Sequence, residues 1–346
     1  MSSTAEPQSA ERRGVAAEPP NPFESLRQIY AGYCLSRGLH VIADLGVADA
    51  LGETARSASE LAGSVGADPD ALDRLLRLLS AHGIFESEHG KYRHSPGSRL
   101  LRSDHPQSAR PLARMFGLSL NWTAYGSMEH AIRTGRPALE TTLPGGFWKH
   151  FAAHPDESAV FNAAMAAKAR AQVPAIVSSY DFSKSERIGD IGGGRGHLLQ
   201  AVLQSSPRAK GVLFDLPHVI ADVADIATER LALHGGDFFK DPLPECDTYL
   251  VMEIIHDWPD SQSSQILSAI RRSAPTGATL LLMEEIIPDD PGPHWSKVLD
   301  IHMLTLLGGR QRTLKEYEAL LRASGFALRR EIDTAAGISI LESQAV

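Results

Sequence analysis

The chain has 346 residues, of which 43% are hydrophobic and 22% are charged, as expected of a globular protein rather than a disordered or collagen-like one. A single core rarely grows beyond about 250–300 residues, so the length predicts more than one domain. The net charge of −8 argues against broad binding to nucleic acids or anionic membranes.

Cysteine usage and the ends of the chain narrow the class further. Cys34 and Cys246 stand far apart and outside any Cys-x-x-Cys motif, which excludes a disulfide scaffold and a cysteine-zinc site. The sequence has no run of about 18 apolar residues, so we expect no membrane-spanning helix. Residues 1–21 are rich in Ala, Ser, Glu and Pro without an apolar segment, which predicts a disordered tail rather than a secretory signal. These features favour a cytoplasmic protein.

Residues 22–105 show short amphipathic helices followed by a hairpin. Ser57 and Glu60 have the spacing of a capping box, and Asp68-Pro69 begins a helix of regularly spaced leucines. Short segments of strand-forming residues on either side of the His89-Gly90 turn predict two strands. Helices followed by a hairpin are the pattern of a winged helix.

A winged helix can bind DNA, or it can serve as a dimerisation or lid module. Arg74 and Arg77 on the long helix are the natural candidates for DNA contact. Asp70 and Asp73 accompany them, and the chain is acidic, so a solvated polar face opposite the leucines is the favoured interpretation.

Residues 106–180 are predicted to be helical and concentrate aromatic side chains. These are Trp122, Tyr125, Phe147, Trp148, Phe151 and Phe161, joined by Met165. Such residues are usually core, but they can also form the wall of a pocket for a flat apolar molecule. We therefore take Trp122, Phe161 and Met165 as candidates for a substrate pocket.

After Ser183 the pattern changes to alternating strands and helices. The predicted strands are Arg187–Ile191, Val212–Phe214, Thr248–Met252, Thr279–Ile286, Phe326–Ile332 and Ile338–Glu342. Helices are predicted near 197–204, 261–273, 297–307 and 314–323. This alternation indicates an α/β domain over residues 181–346 with a doubly wound, mostly parallel sheet, and a domain boundary near 175–186.

A glycine-rich loop, Asp190-Ile-Gly-Gly-Gly-Arg-Gly196, joins the first strand to its helix. Glycines at this point let the backbone approach a ligand closely and adopt positive φ. The dinucleotide fingerprint G-x-G-x-x-G fails here, because counting from Gly192 or from Gly194 places His197 or Leu199 at the last position. The alternative is the loop of enzymes that bind S-adenosylmethionine (SAM), an acid followed by G-x-G.

Two acids follow at the ends of the next two strands. Asp215 can accept hydrogen bonds from ribose hydroxyls, although this feature alone does not distinguish a dinucleotide from SAM. The segment Gly236-Asp237-Phe238 stands where a third strand should end. A carboxylate at Asp237 can accept from an adenine amino group while the ring of Phe238 packs on the purine.

His256 follows the fourth strand, so it should face the same cleft as the cofactor. A histidine with an ordinary pKa of about 6.5 can take a proton near neutrality. Glu284, at the end of the next strand, can hold the second ring nitrogen and stabilise the imidazolium, as in a catalytic triad without its nucleophile. We expect the neighbouring Glu285 to lie on the opposite face, in solvent.

The order and spacing of these motifs resemble the plant caffeate-type and bacterial small-molecule O-methyltransferases. The matching segments are Asp190–Gly196, Phe214-Asp-Leu-Pro217, Gly236–Phe239, His256-Asp-Trp258, Glu284 and Gly308-Gly-Arg-Gln-Arg-Thr313. The likeness covers residues 22–342. It implies a Rossmann-like SAM-dependent methyltransferase domain and a mostly helical, winged-helix-like N-terminal domain that forms a homodimer, with the acceptor bound between the two.

The resemblance also assigns roles to individual residues. Those implied to contact SAM are Gly192, Gly194, Asp215, Gly236, Asp237, Phe238 and Met252. His256 matches the catalytic base, and Met165 and Met303 match methionines that line the acceptor pocket. Two positions depart from the family pattern. Met252 stands near a position where a lysine or arginine is common, and Gln311 replaces the glutamate of Gly-Gly-x-Glu-Arg-Thr. Glutamine still accepts a hydrogen bond but adds no negative charge beside His256, which predicts a weaker base or a more acidic acceptor.

The sequence therefore predicts methyl transfer to a phenolic hydroxyl of an aromatic small molecule in natural-product biosynthesis. His256, Glu284 and Gln311 are the expected catalytic residues, and we expect no metal, nucleic-acid or membrane partner. Two alternatives stay open. The first is a SAM-binding enzyme of this fold that performs hydroxylation or a pericyclic step. The second is a ligand-sensing winged-helix protein that binds DNA.

Overall fold

The computed structural model describes residues 21–143 and 145–346. Apart from Asn21, the predicted tail of residues 1–21 lies outside these residues. Within the described part, no helix is both long enough and apolar enough to cross a membrane.

The N-terminal region forms a helical unit with a small sheet. Its elements are α1 (Pro22–Leu45), α2 (Val47–Leu51), β1 (Arg56–Ser57), α3 (Ala58–Val65), α4 (Pro69–Ala81), β2 (Phe85–Glu88), β3 (Lys91–His94) and α5 (Pro96–Arg99). The capping box at Ser57 and Glu60 is present, and Asp68 caps α4 as predicted. The three strands pair in the order β1-β3-β2, so the predicted hairpin forms the wing of a winged helix.

The middle of the chain is helical, as predicted. It contains α6 (Arg110–Phe116), α7 (Ser119–Gly126), α8 (Met128–Thr134), α9 (Gly146–Ala153) and α10 (Pro155–Ser179). The long helix α10 packs against α6 at one end and against the C-terminal domain at the other. It therefore connects the two halves of the protein.

The C-terminal domain is built around a seven-stranded sheet. Its strands are β4 (Arg187–Ile191), β5 (Lys210–Asp215), β6 (Leu231–Gly235), β7 (Thr248–Met252), β8 (Thr279–Glu284), β11 (Phe326–Asp333) and β12 (Ser339–Ala345). Its helices are α11 (His197–Ser205), α12 (Pro217–Ala221), α13 (Asp260–Ser273), α14 (Trp295–Leu306) and α15 (Leu314–Ala323). The strand order is β11-β12-β8-β7-β4-β5-β6, with β12 antiparallel to its two neighbours and every other neighbouring pair parallel.

The strand order reverses at β4, which lies between β5 and β7. In open α/β sheets the ligand binds at this switch point, at the carboxyl ends of the strands. Buried apolar residues cover both faces of the sheet, so the parallel strands are nearly continuous hydrophobic runs. The candidate site is therefore at the carboxyl ends of the parallel strands, since both faces of the sheet are covered.

One predicted strand divides into two. The strand expected at Thr279–Ile286 ends as β8 at Glu284, and a short β9 (Ile286–Ile287) pairs in parallel with β10 (Arg312–Thr313). This pairing places Gln311, the residue before β10, beside the end of β8. It is the structural reason that two distant motifs meet.

Candidate active site

The glycine loop lies between β4 and α11, at the switch point. Gly192, Gly194 and Gly196 have φ values of 72°, 56° and 70°, which residues with a Cβ rarely adopt. A Cβ at Gly193 would come within 2.4 Å of the Asp190 carboxyl group. The loop is therefore built for close backbone approach, and the backbone N–H of Gly194 donates to Asp215 Oδ2 at 2.8 Å.

Asp215 and Asp237 lie at the ends of adjacent strands, as predicted. Asp215 Oδ1 accepts the backbone N–H of Leu216 at 2.7 Å, and burial raises the pKa of its carboxyl group. Asp237 Oδ2 accepts from Lys240 Nζ at 2.7 Å, and this bond lowers the pKa of Asp237 although its partial burial opposes the shift. The Lys240 ammonium must therefore share Asp237 with any ligand that uses this carboxylate.

Aromatic rings close this end of the site. Phe238 packs edge-on against Phe239 at 4.8 Å, and Phe239 packs in the same way against Trp258 at 4.9 Å. Gly236 lies against Phe214, and a Cβ there would come within 2.8 Å of that ring. Met252 is half-buried at the end of β7 and packs on the domain core, where it contributes no charge.

His256 lies in a 3₁₀ turn, Ile255–Asp257, just after β7, and it is buried. The Arg312 guanidinium donates to the carbonyl oxygens of Ile255 at 3.2 Å and Trp258 at 3.0 Å, on either side of the histidine. A Cβ at Gly309 would come within 2.1 Å of the His256 carbonyl oxygen, so that position must be glycine. The turn is therefore fixed from two directions.

The His256 ring lies between three side chains that can exchange protons or hydrogen bonds with it. Nδ1 lies 2.7 Å from Gln311 Nε2 and 3.3 Å from Glu284 Oε2, and Nε2 lies 3.4 Å from Asp257 Oδ1. Burial lowers the pKa of His256 to about 4 and raises that of Asp257 to about 8. The imidazole is therefore neutral at pH 7.

Glu284 is fully buried, and its Oε1 accepts the backbone N–H groups of Ile255 at 2.9 Å and His256 at 3.3 Å. Burial raises the pKa of Glu284 well above its ordinary value. Glu284 Oε2 and Gln311 Oε1 are both buried without a hydrogen-bond partner among the described residues. Because amide oxygen and nitrogen are nearly equivalent in shape, the Gln311 amide can be rotated by half a turn. Gln311 Oε1 then accepts from His256 Nδ1–H, and His256 Nε2 carries no proton and can act as a base.

Three charged residues that the sequence analysis did not select lie near His256 and Glu284. They are Lys168, Glu253 and Glu285. Lys168 Nζ on α10 lies 2.5 Å from Glu253 Oε1 and 3.7 Å from Glu285 Oε1. Glu253 directly follows β7 and has a φ of 53°, which is unusual for a residue other than glycine. The expectation that Glu285 is solvated was wrong, because it is buried beside Lys168. Lys168 follows Phe161 and Met165 at helical spacing, and that pattern was the available signal.

The structure distributes the candidate acceptor residues unevenly. Met303 is buried on α14, while Phe161 stacks on Phe151 at 4.9 Å in an apolar cluster that includes Leu306 of the same helix. Met165 is half-buried on α10, on the same face as Phe161. Trp122 instead packs against α1, where the Arg37 guanidinium lies 5.5 Å from the ring centroid. None of the described ring contacts of Trp122 reaches the His256 turn.

A second buried histidine, which the sequence did not indicate, lies next to Met303. His302 Nδ1 is 3.0 Å from the Tyr125 hydroxyl, and the Phe116 ring is 5.1 Å away. Burial lowers the pKa of His302 to about 4, so it is neutral at pH 7. Within the described part of the chain, no group of three or more His, Cys, Asp or Glu residues is arranged to hold a metal ion.

Comparison with known proteins decides the family. Residues 125–327 match the O-methyltransferase domain, and residues 28–104 match the O-methyltransferase dimerisation domain. The chain belongs to the O-methyltransferase family. This methyltransferase has the predicted fold, with a Rossmann-like domain after a helical dimerisation domain.

Individual relatives agree over nearly the whole chain. The phenazine O-methyltransferase PhzM of Lysobacter antibioticus is 39% identical, covering 93% of this chain and 96% of that protein. The 3-amino-4-hydroxybenzoate 4-O-methyltransferase of Streptomyces cremeus is 35% identical, covering 92% and 88%. The O-methyltransferase NcsB1 from neocarzinostatin biosynthesis, in complex with SAM and 2-hydroxy-5-methyl naphthoic acid, matches with a TM-score of 0.77 at 30% identity, covering 90% and 96%. These relatives support SAM as the cofactor of this methyltransferase.

Proposed function

We propose that this methyltransferase transfers the methyl group of SAM to a hydroxyl group on an aromatic small molecule, with His256 as the general base and no metal ion. The observation that carries the proposal is the arrangement of Glu284, His256 and Gln311 at the carboxyl edge of the sheet. A base held by a buried partner at one ring nitrogen leaves the other nitrogen for the substrate.

The cofactor site fits SAM on the chain's own geometry. The loop at Gly192 and Gly194 is a cradle that a Cβ would fill or strain, and the acids Asp215 and Asp237 follow along the sheet edge. We assign Gly236 and Phe238 to the adenine end and Met252 to the methionine end of this site. When bound, SAM supplies a methyl group that its sulfonium makes electrophilic.

The chain's residues contribute orientation and proton transfer. Holding two reactants in line replaces a bimolecular encounter and is worth up to about 7–11 kcal/mol. His256 removes the hydroxyl proton as the oxygen attacks. General-base catalysis of this kind typically increases the rate by about 10²–10⁴-fold. Glu284 orients His256 through its turn, and Gln311 holds Nδ1 without adding charge.

Two relatives act on acceptors that carry both a ring hydroxyl and a carboxylate. Their names specify 3-amino-4-hydroxybenzoate and 2,7-dihydroxy-5-methyl-1-naphthoate as substrates. The pocket that we assign to Phe161, Met165 and Met303 has aromatic and thioether walls, which suit such flat rings, whereas Trp122 packs against α1. We therefore infer an aromatic natural-product acceptor of this kind.

We propose that residues 22–105 form the homodimer, that residues 106–180 form the acceptor-pocket segment, and that residues 181–346 form the SAM-binding catalytic domain. Support for the dimer comes from α1, whose outer face exposes apolar side chains. Phe23, Leu26, Ile29, Tyr30 and Tyr33 are between 60 and 76% exposed in the single chain. A stripe of this kind, inside a dimerisation domain, is expected to bury itself against a second copy.

The structure gives no support to DNA binding by the winged helix. Arg77 is paired with Asp73 at 2.8 Å, and Arg74 lies 3.8 Å from Asp70. These carboxylates neutralise the two arginines that would otherwise contact phosphates.

The test is transfer of labelled methyl from SAM to a panel of phenols by wild type and by His256→Ala. We expect the variant to lose at least about a hundredfold in kcat, the size of a general-base contribution. His94→Ala, in the wing, is the matched control and should retain activity. Unchanged turnover by His256→Ala would overturn the role of this residue. Turnover without formation of S-adenosylhomocysteine would favour the non-methylating alternative.

A further inference from the structure

The cluster of charged residues near His256 includes a partly buried ammonium, Lys168, that the proposed mechanism does not use. Lys168 lies on the face of α10 that also presents Phe161 and Met165, at the helical spacing of one and two turns. Its charge helps to lower the pKa values of both His256 and His302. The Lys168 ammonium therefore acts electrostatically on the base and on a buried histidine of α14.

The Lys168 ammonium is incompletely satisfied. It has three N–H donors, and its Nζ forms an ion pair with Glu253 Oε1 at 2.5 Å that lacks hydrogen-bond geometry. Glu285 Oε1, at 3.7 Å, is beyond ordinary hydrogen-bonding distance. The remaining N–H donors of this partly buried ammonium are therefore available to water or to a further acceptor.

The side chain nevertheless faces an accessible space. Lys168 is deep enough that desolvation is the largest influence on its pKa, yet 21% of its side chain is reachable by solvent. Glu253 beside it keeps 13% of its side chain reachable. The pair is therefore partly accessible to solvent rather than sealed in the packed core.

The charges around Lys168 leave a place for one more anion. Although burial opposes it, the carboxylates of Glu253 and Glu285 keep the pKa of Lys168 above its ordinary value, so it remains an ammonium. Among the described carboxylates, only that of Glu253 lies within hydrogen-bonding distance of Lys168 Nζ, because Glu285 Oε1 is 3.7 Å away. An anionic oxygen on a ligand would therefore be the second close partner of the ammonium.

We infer that Lys168 is a specificity-determining residue that binds a carboxylate on the aromatic acceptor while His256 acts on the ring hydroxyl. This inference rests on the proposed function. Glu253 holds the ammonium in place, and the apolar side chains of Phe161 and Met165 contact the ring. The acceptor class is therefore a hydroxylated aromatic acid rather than a simple phenol.

The experiment compares 3-hydroxy-2-naphthoate, its methyl ester and 2-naphthol as acceptors for wild type, Lys168→Met and Lys168→Arg. Loss of one charge-assisted hydrogen bond predicts that Lys168→Met lowers kcat/KM for the acid by about ten- to hundredfold, chiefly through KM. The ester and 2-naphthol should change by less than about threefold, which is within the scatter of a neutral contact. Lys168→Arg should recover most of the activity on the acid, because it keeps the charge.

Two further variants protect the comparison from a folding defect. Lys168→Met/Glu253→Gln removes both charges of the pair, so the Glu253 carboxylate is not left without its cation, and it should show the same selective loss. Arg170→Met changes an exposed residue on the same helix and should match wild type for every acceptor. Equal losses on acid, ester and 2-naphthol, or an unchanged KM for the acid, would overturn the inference.

Failure of the proposed function gives a different result. If none of the acceptors is methylated, binding of 3-hydroxy-2-naphthoate is measured by calorimetric titration in the presence of S-adenosylhomocysteine. Tighter binding to wild type than to Lys168→Met, by the same ten- to hundredfold, supports the carboxylate site even without turnover. Equal binding overturns it.

Discussion

Restoring a carboxylate at position 311 should strengthen the base. In the structure Gln311 Nε2 lies 2.7 Å from His256 Nδ1, and the pKa of His256 is lowered by burial to about 4. An opposite charge at this distance favours the protonated imidazole and typically shifts a pKa by about 1–3 units. Gln311→Glu is therefore expected to raise the pKa of His256 to about 5–7.

The consequence for activity follows from the sign of this shift. The base must be unprotonated, so kcat/KM falls as the pH drops through the pKa of His256 in the free enzyme. Wild type should lose activity near pH 4, and Gln311→Glu should lose it at a pH about 1–3 units higher. Above that pH the stronger base should raise the rate by roughly three- to thirtyfold, if about half of its added basicity is expressed in the transition state.

The assay is the pH dependence of labelled methyl transfer at limiting acceptor concentration, between pH 4 and 9. Gln311→Met is the control at the same site, because it removes the amide without adding charge and should leave the acid limb near that of wild type. A Gln311→Glu profile that coincides with wild type would refute the argument that this position sets the basicity of His256. A Gln311→Met variant whose activity falls at the same raised pH as that of Gln311→Glu would also refute this argument.

Three further outcomes are expected. Arg312→Met should lower the free energy of unfolding by about 2–4 kcal/mol in denaturant titration, because the carbonyls of Ile255 and Trp258 lose their buried donor; an unchanged midpoint would contradict this. Burial and the nearby Asp215 charge raise the pKa of Asp190 to about 7. Above its ordinary pKa this carboxyl group ionises in the unfolded chain but not in the folded protein, which lowers the free energy of unfolding as the pH rises towards 7. Asp190→Asn should therefore stabilise the protein by about 4 kcal/mol at pH 8 and hardly at all at pH 4, and an equal gain at both would refute the titration. Tyr30→Asp should shift the protein toward monomer in analytical ultracentrifugation, whereas Arg27→Ala on the same helix should not.

Local sequence signals were sufficient to predict most of the elements. The capping box at Ser57, the proline start of α4 and the strand–helix alternation after Ser183 depend on interactions within a few residues, and each lies where predicted. Glycines in a loop also indicate positions with positive φ, as at Gly192. The motif order then placed the candidate cofactor site along the sheet edge.

The surroundings of His256 could not be predicted in this way. The expectation for Glu285 failed because strand alternation predicts the opposite face to be solvated, whereas α10 covers this strand end and brings Lys168 to it. Lys168 and Glu253 are distant in sequence, and no local pattern connects them. Nothing in the spacing of His302 indicated that it would be buried beside Tyr125.

The sequence by itself determined the family, the order of the motifs and the element that holds each of them. Only the tertiary structure decided which side chains lie together around His256 and which of them are ionised. The physical reason is that helix and strand formation depend on neighbours along the chain. The pKa values of His256, Glu284 and Lys168 depend instead on desolvation and on charges that α10, β8 and the segment before β10 bring together in space.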